Sequence, residues 1–241
     1  MEMIYMLDTA DIGEIERLID LYPIDGVTTN PTIISRSGLK LKEVVKQIRS
    51  LIGNKKMLHV QTISDSAEDM IDEALRLRDL AEGNFYVKIP ANPQGIKAIR
   101  HLKELGLNVT ATAIFTQQQG LIAAKAGADF IAPYVNRLDN ISSHGIDVVA
   151  DLVKLLDIYN LDTKVLAASF KNVDQVYRVS MAGAHAVTIS PDLFDNIMYH
   201  PLVEQSIDKF KQDAKGYYNL DIHRFKDDKE EQREQKKVKT A

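Results

Sequence analysis

The chain has 241 residues, 45% of them hydrophobic, a formal net charge of −4 and no cysteine. That size buries a full core, and the missing cysteine excludes disulfides, thiolate metal sites and thiol catalysis. Charges of both signs are spread along most of the chain, so there is no basic face for nucleic acid and no polybasic membrane patch.

The first element is a strand, Ile4-Tyr5-Met6-Leu7-Asp8, ending on a carboxylate. Asp11 and Glu14 form a capping box, and Ile15, Leu18 and Ile19 give a helical stripe that stops at Pro23. Gly26-Val27-Thr28-Thr29-Asn30 reads as a strand closed by Pro31. Leu41, Val44, Val45, Ile48, Leu51 and Ile52 keep helical spacing up to Gly53. Met57-Leu58-His59-Val60-Gln61 is a strand. Asp65 and Glu68 make a second capping box ahead of Ala67, Met70, Ile71 and Ala74. Phe85-Tyr86-Val87-Lys88-Ile89-Pro90 is a short buried strand, and Ile96, Ile99 and Leu102 mark the next helix. Asn108 to Ala113 is a strand, followed by a short helix up to Gly127. Asp129 to Tyr134 is a strand, and Val148, Val149, Leu152 and Val153 belong to a helix. Lys164 to Ser169 is a strand, its helix stops at Gly183, and His185 to Ser190 is the last strand. A helix from Pro201 to Lys215 closes the pattern.

Strand–helix alternation repeated about eight times argues for a parallel sheet, because parallel strands need a crossover between them. The predicted fold is α/β: a single (β/α)8 TIM barrel over residues 1–220, with a C-terminal helix and a charged, disordered tail over 221–241. The alternative is an open doubly wound sheet, weakened by the absence of Gly-x-Gly-x-x-Gly after the first strand. Met1 to Asp8 lacks the basic region and apolar run of a signal peptide, and no apolar stretch reaches membrane-spanning length, so a cytoplasmic protein is expected.

Lys88 is the residue that asks for an explanation. Burial disfavours the charged form of an amine, and a neutral amine is a nucleophile whose usual task is a Schiff base with a carbonyl substrate. The competing reading is a lysine that snorkels to water or pairs with a carboxylate. In barrels of this kind the site lies at the C-terminal ends of the strands. Those ends carry Asp8, Asn30, Gln61, Lys88, Thr112, Tyr134 and Ser169. Alternation puts Tyr86 and Lys88 inside and Phe85, Val87 and Ile89 under the helices. It also pairs Ala132 with Tyr134 and Ala167 with Ser169 on the inner face. Tyr134 suits an acid/base role through a water held by Gln61 and Thr112. Asp8 suits proton exchange with a substrate hydroxyl, and Asn30 suits hydrogen bonds to the same sugar region. Arg137 and Ser169 suit a phosphate. The histidines form no ligand cluster. His59 reads as a core residue and His144 as an exposed loop residue, so no metal and no organic cofactor are expected.

Asp8-Thr9-Ala10, Gly26-Val27-Thr28-Thr29-Asn30-Pro31, Val87-Lys88-Ile89-Pro90, Ala132-Pro133-Tyr134-Val135-Asn136-Arg137 and Ala167-Ala168-Ser169 together resemble the small transaldolase family. The resemblance runs from about Met3 to the helix near Lys215. It implies a class I mechanism with Lys88 as the Schiff-base lysine. It also implies that Asp8, Asn30, Gln61, Thr112 and Tyr134 form the catalytic shell, with Ser169 and Arg137 at the phosphate end. Transaldolases proper usually carry Glu and Phe where this chain has Gln61 and Tyr134. The chain therefore looks like the aldolase branch, which cleaves fructose 6-phosphate to dihydroxyacetone and glyceraldehyde 3-phosphate. The alternative is a transaldolase of the pentose phosphate pathway. A phosphosugar isomerase and a non-catalytic phosphosugar-binding barrel stand as readings from other classes. His59, His144 and the loop Ser142-Ser143-His144-Gly145 depart from the family pattern. The family also implies a homo-oligomer, a decamer or pentamer.

Overall fold

The structure, a computed structural model, describes residues 2–215, 217 and 218. Eight parallel strands close into a barrel in the order β1 to β8. The strands are β1 (Ile4–Asp8), β2 (Gly26–Thr28), β3 (Met57–Gln61), β4 (Phe85–Pro90), β5 (Asn108–Ile114), β6 (Phe130–Pro133), β7 (Lys164–Ala167) and β8 (Ala186–Ile189). The helices are α1 (Ile12–Leu21), α2 (Pro31–Arg36), α3 (Leu41–Ile52), α4 (Ala67–Ala81), α5 (Pro93–Glu104), α6 (Gln117–Lys125), α7 (Val135–Asp139), α8 (Gly145–Ile158), α9 (Val173–Met181), α10 (Pro191–Met198) and α11 (Pro201–Ala214). The alternation expected from the sequence is therefore a closed (β/α)8 barrel and not an open sheet.

Residues up to Ile197 form one compact unit, and the chain from Met198 on forms another. In the second unit α11 is capped by His200, whose ring accepts from Leu202 N, and it exposes Leu202, Val203, Ile207 and Phe210. The charged tail expected over 221–241 lies outside the described residues.

Two apolar layers follow from strand alternation. The larger lies between sheet and helices and contains Leu7, Val27, Leu58, Val60, Val87, Ile89, Val109, Ile131, Val165 and Val187. Each fully buried aliphatic side chain of this kind stabilises the fold by about 1.5–3 kcal/mol. The smaller fills the barrel interior with Met6, Phe130, Ala132, Leu166 and Ala186, with Ile4, Met57 and Tyr86 against it. Tyr86 thus points inward, and Phe85, Val87 and Ile89 outward, as alternation requires. Ala167 does not: it packs in the outer layer, and Leu166 takes the inner position of β7. Just beyond β7, Ser169 leaves strand geometry with a left-handed φ of 64°.

Three short helices, α2, α7 and α10, have no counterpart in the sequence pattern because each is too short to show a hydrophobic period. The strand expected over Gly26 to Asn30 stops at Thr28 for the same reason: Asn30 caps α2, accepting from Ile33 N at 2.9 Å, with Pro31 at the first helical position. The cap of α4 is Ser66, accepting from Asp69 N, one residue beyond the expected Asp65. At the opposite end of the barrel from the site, buried Arg49 gathers four carbonyls. It donates to Ala81 O, Gly53 O, Lys56 O and Asn84 O at 2.6–3.2 Å. Carbonyls at the ends of α3 and α4 and at the starts of β3 and β4 thereby gain a partner.

Candidate active site

The inner positions at the C-terminal strand ends converge because the registers align them. Asp8 is level with Thr28, Gln61 with Lys88, Lys88 with Thr110, and Pro90 with Thr112. Lys88 is 6% exposed, and its Nζ donates to Thr29 O at 2.8 Å. Among the described residues no carboxylate lies within ion-pair distance of Lys88. One carbonyl leaves Nζ with bonding capacity to spare.

Asp8 stands at the mouth of β1. Thr28 donates to Asp8 Oδ1 at 2.7 Å, and the Thr188 hydroxyl lies 2.6 Å from Thr28 Oγ1. Since Thr28 spends its proton on Asp8, Thr188 donates to Thr28, and a two-bond chain runs from β8 to β1. Burial pushes the Asp8 carboxyl above its ordinary range, while the charge of Lys88 and the Thr28 bond pull it back in part. A carboxylate raised in this way is a better base than a free one.

Thr112 Oγ1 and Tyr134 OH meet at 2.9 Å. Thr112 owes its position to a register shift in β5 between Ala111 and Ile114, where Ala113 takes a left-handed φ of 57°. A bulge next to a site re-aims side chains, and a non-glycine residue held there stores strain. Tyr134 closes β6, and the guanidinium of Arg137, on α7, lies 4.8 Å above its ring. Asn136 N donates to Ser169 O at 2.9 Å, which ties α7 to the end of β7. Arg137 and Ser169 are thus brought to neighbouring strand ends without a bond between their side chains. Gln61 lies beside Lys88, is bonded to neither Thr112 nor Tyr134, and has its buried Oε1 without a protein partner. Asn30 uses its oxygen to cap α2 and keeps its amide N–H groups available.

An open cleft of about 520 Å³ begins at Asp8 and runs past Thr9, Ile33, Arg36 and Pro191. Lys88 is not on its wall. Sequence reasoning missed Thr28, Thr188 and the carbonyl of Thr29. The signal for the first was available: Thr28 shares the inward parity of Asn30. His144 is exposed at the start of α8 with φ 43° and caps nothing. Among the described residues no group of three or more His, Cys, Asp and Glu is arranged to hold a metal ion.

A lysine sealed into the mouth of a parallel barrel, with hydroxyls, an amide and a carboxylate from neighbouring strands, is the arrangement of (β/α)8 enzymes that act at the C-terminal face. The chain matches the family described as Transaldolase/Fructose-6-phosphate aldolase over residues 5–239. It is also 42% identical over 212 residues to a Streptococcus pneumoniae protein named "Probable fructose-6-phosphate aldolase", covering 88% of this chain and 96% of that protein. The chain belongs to the transaldolase/fructose-6-phosphate aldolase family, whose members are aldolases and transaldolases.

Proposed function

We propose that the chain is a class I aldolase that reversibly cleaves fructose 6-phosphate to dihydroxyacetone and glyceraldehyde 3-phosphate. The observation that carries this reading is the buried Lys88, held by one backbone carbonyl and no carboxylate. In this mechanism Lys88 Nζ attacks the ketone carbon, and loss of water from the carbinolamine gives an iminium. Asp8 takes the proton of the hydroxyl next to the bond that breaks. The electrons of that C–C bond move into the iminium, forming an enamine and releasing the aldehyde. A water between Tyr134, Thr112 and Gln61 carries protons at the carbinolamine and returns one to the enamine carbon. Hydrolysis then frees dihydroxyacetone and Lys88. Asn30 holds donor hydroxyls through its amide N–H groups, and Arg137 with Ser169 holds the phosphate. No cofactor takes part.

Gln61 with Tyr134 favours release of the donor over transfer. A tyrosine hydroxyl supplies the proton that quenches the enamine, whereas a phenylalanine leaves it waiting for an acceptor. The Thr112–Tyr134 bond supports a Tyr134 hydroxyl that is fixed in place. No helix of the described residues is long and apolar enough to cross a membrane, which is consistent with a cytoplasmic enzyme. The exposed apolar side chains of α11 support a homo-oligomer, pentameric or decameric.

The test is a paired assay on fructose 6-phosphate with and without erythrose 4-phosphate. Glyceraldehyde 3-phosphate without the acceptor is the expected result. Product only with the acceptor makes the chain a transaldolase.

A further inference from the structure

His59 is a titratable group in the barrel interior that the mechanism above leaves unused. It is 0% exposed and sits on the inner face of β3. Its ring stacks on Tyr86 at 4.5 Å and meets Phe130 edge-on at 5.5 Å. Nδ1 lies 2.9 Å from Thr110 Oγ1. Burial first, and then the nearby charge of Lys88, hold its pKa well below the ordinary value, so the ring is neutral. A neutral imidazole carries one N–H and one lone pair.

Stacking and the Thr110 contact account for the body of the ring and for one nitrogen. They leave Nε2, which is fully buried and has no protein partner. A buried polar atom left unmade is costly, and native interiors satisfy nearly all of them with protein or internal water. One other buried side-chain atom in the described structure is in the same condition: Oε1 of Gln61. Gln61 is two residues further along the same strand, on the same inner face, a separation of roughly 6.6 Å along the strand. No hydrogen bond joins the two atoms directly, and one internal water, which needs two or more polar partners, would satisfy both.

We propose that His59 is a positioning residue for Gln61: its Nε2–H, through one internal water, holds Oε1 of the amide down in the barrel and turns the amide Nε2 toward the reacting centre. Thr110 donates its hydroxyl proton to His59 Nδ1, which fixes the tautomer with the proton on Nε2. The water accepts from Nε2 and donates to Gln61 Oε1. Gln61 then presents N–H donors to the water that it holds with Thr112 and Tyr134. Without His59 the amide is free to flip and present its oxygen instead. This inference rests on the aldolase reading, in which Gln61 serves proton transfer.

The test is a double-variant cycle on the full chain. His59→Phe keeps the ring on Tyr86 and removes both nitrogens. It is expected to lower kcat on fructose 6-phosphate about tenfold, the equivalent of one hydrogen bond, with KM changed less than about twofold and melting temperature retained. In a Gln61→Ala background the same change is expected to cost nothing further, because residues acting as a unit are not additive. His59→Gln, which places an amide nitrogen near the Nε2 position, restores most of the loss. His59→Asn, which mimics Nδ1, does not. Additive losses, a loss confined to KM, equal rescue by Asn and Gln, or a loss that tracks melting temperature overturns the inference. Borohydride reduction of the parent with dihydroxyacetone separates the two levels. An adduct on Lys88 with additive His59 and Gln61 effects sinks this inference alone. No adduct sinks the aldolase reading and this inference with it.

Discussion

Burial and the charge of Lys88 dominate the charge state of Asp8, and Thr28→Val isolates the smaller contribution of the Thr28 bond. Valine matches the shape of threonine and removes one hydroxyl. Two bonds go with it: the 2.7 Å donation to Asp8 Oδ1 and the 2.6 Å acceptance from Thr188. Thr28 is wholly buried, so water does not replace them. Where Asp8 is ionised, the first bond is charge-assisted and contributes about 1.5–3 kcal/mol, and the second about 1 kcal/mol. The variant is therefore expected to be about 2.5–4 kcal/mol less stable where Asp8 is ionised. The deficit depends on pH in a fixed direction. Burial already holds the Asp8 pKa above its unfolded value, so the stability linked to this group is present at low pH and is lost as pH rises through the folded pKa. Removing Thr28 raises that pKa further. The gap between variant and parent is then widest on the alkaline side, where Asp8 is ionised in both, and narrows on acidification, by about 1.4 kcal/mol for each unit of further shift. Urea titrations followed by circular dichroism at several pH values from mildly alkaline to acidic read this directly. Thr28→Ser, which keeps the hydroxyl, should follow the parent's pH profile. A Thr28→Val deficit that stays constant, or that widens toward acid, would refute the reasoning.

Further predictions concern turnover and packing. Gln61→Glu with Tyr134→Phe should shift activity from cleavage toward transfer, read as the ratio of product formed without and with erythrose 4-phosphate; an unchanged ratio contradicts the roles assigned to the pair. Arg137→Ala, an exposed change that removes the guanidinium above Tyr134, should raise KM for phosphorylated substrate by about tenfold or more while leaving an unphosphorylated aldehyde acceptor nearly unaffected; equal losses on both would remove Arg137 from the phosphate site. Gly95→Ala puts a Cβ 1.8 Å from the Pro90 carbonyl oxygen, with Ile89 behind it, so α5 must move off β4. A loss of about 2 kcal/mol or more is expected in chemical denaturation, and a loss below about 0.5 kcal/mol would mean the contact relaxes freely.

The barrel was legible because period-2 and period-3.6 segments alternate, and because each inward strand end carries a polar residue. Lys88 stood out as a charge in an apolar run. What stayed hidden has a physical reason in each case. Asn30 and Pro31 do double duty, ending one element and capping a helix of six residues, too short to show a period. Ser169 has a left-handed backbone that strand alternation cannot anticipate, and on β7 Leu166, not Ala167, takes the inner face. The bulge at Ala113 is likewise a backbone event on an ordinary side chain. The threonine chain from Thr188 through Thr28 to Asp8 joins residues 160 positions apart and becomes visible only once the barrel closes β8 onto β1. His59 was readable as a core residue, yet its contacts with Tyr86, Thr110 and Phe130 depend on register across three other strands.

The claim at the centre of this account is that Lys88 forms a covalent bond with the donor ketone. Reduction with borohydride in the presence of dihydroxyacetone, followed by peptide mapping, tests it most directly. The account predicts a stable adduct on Lys88 in the parent and none in Lys88→Arg, with the variant still folded by circular dichroism. An adduct on another lysine, or turnover of fructose 6-phosphate that survives Lys88→Arg, would contradict it.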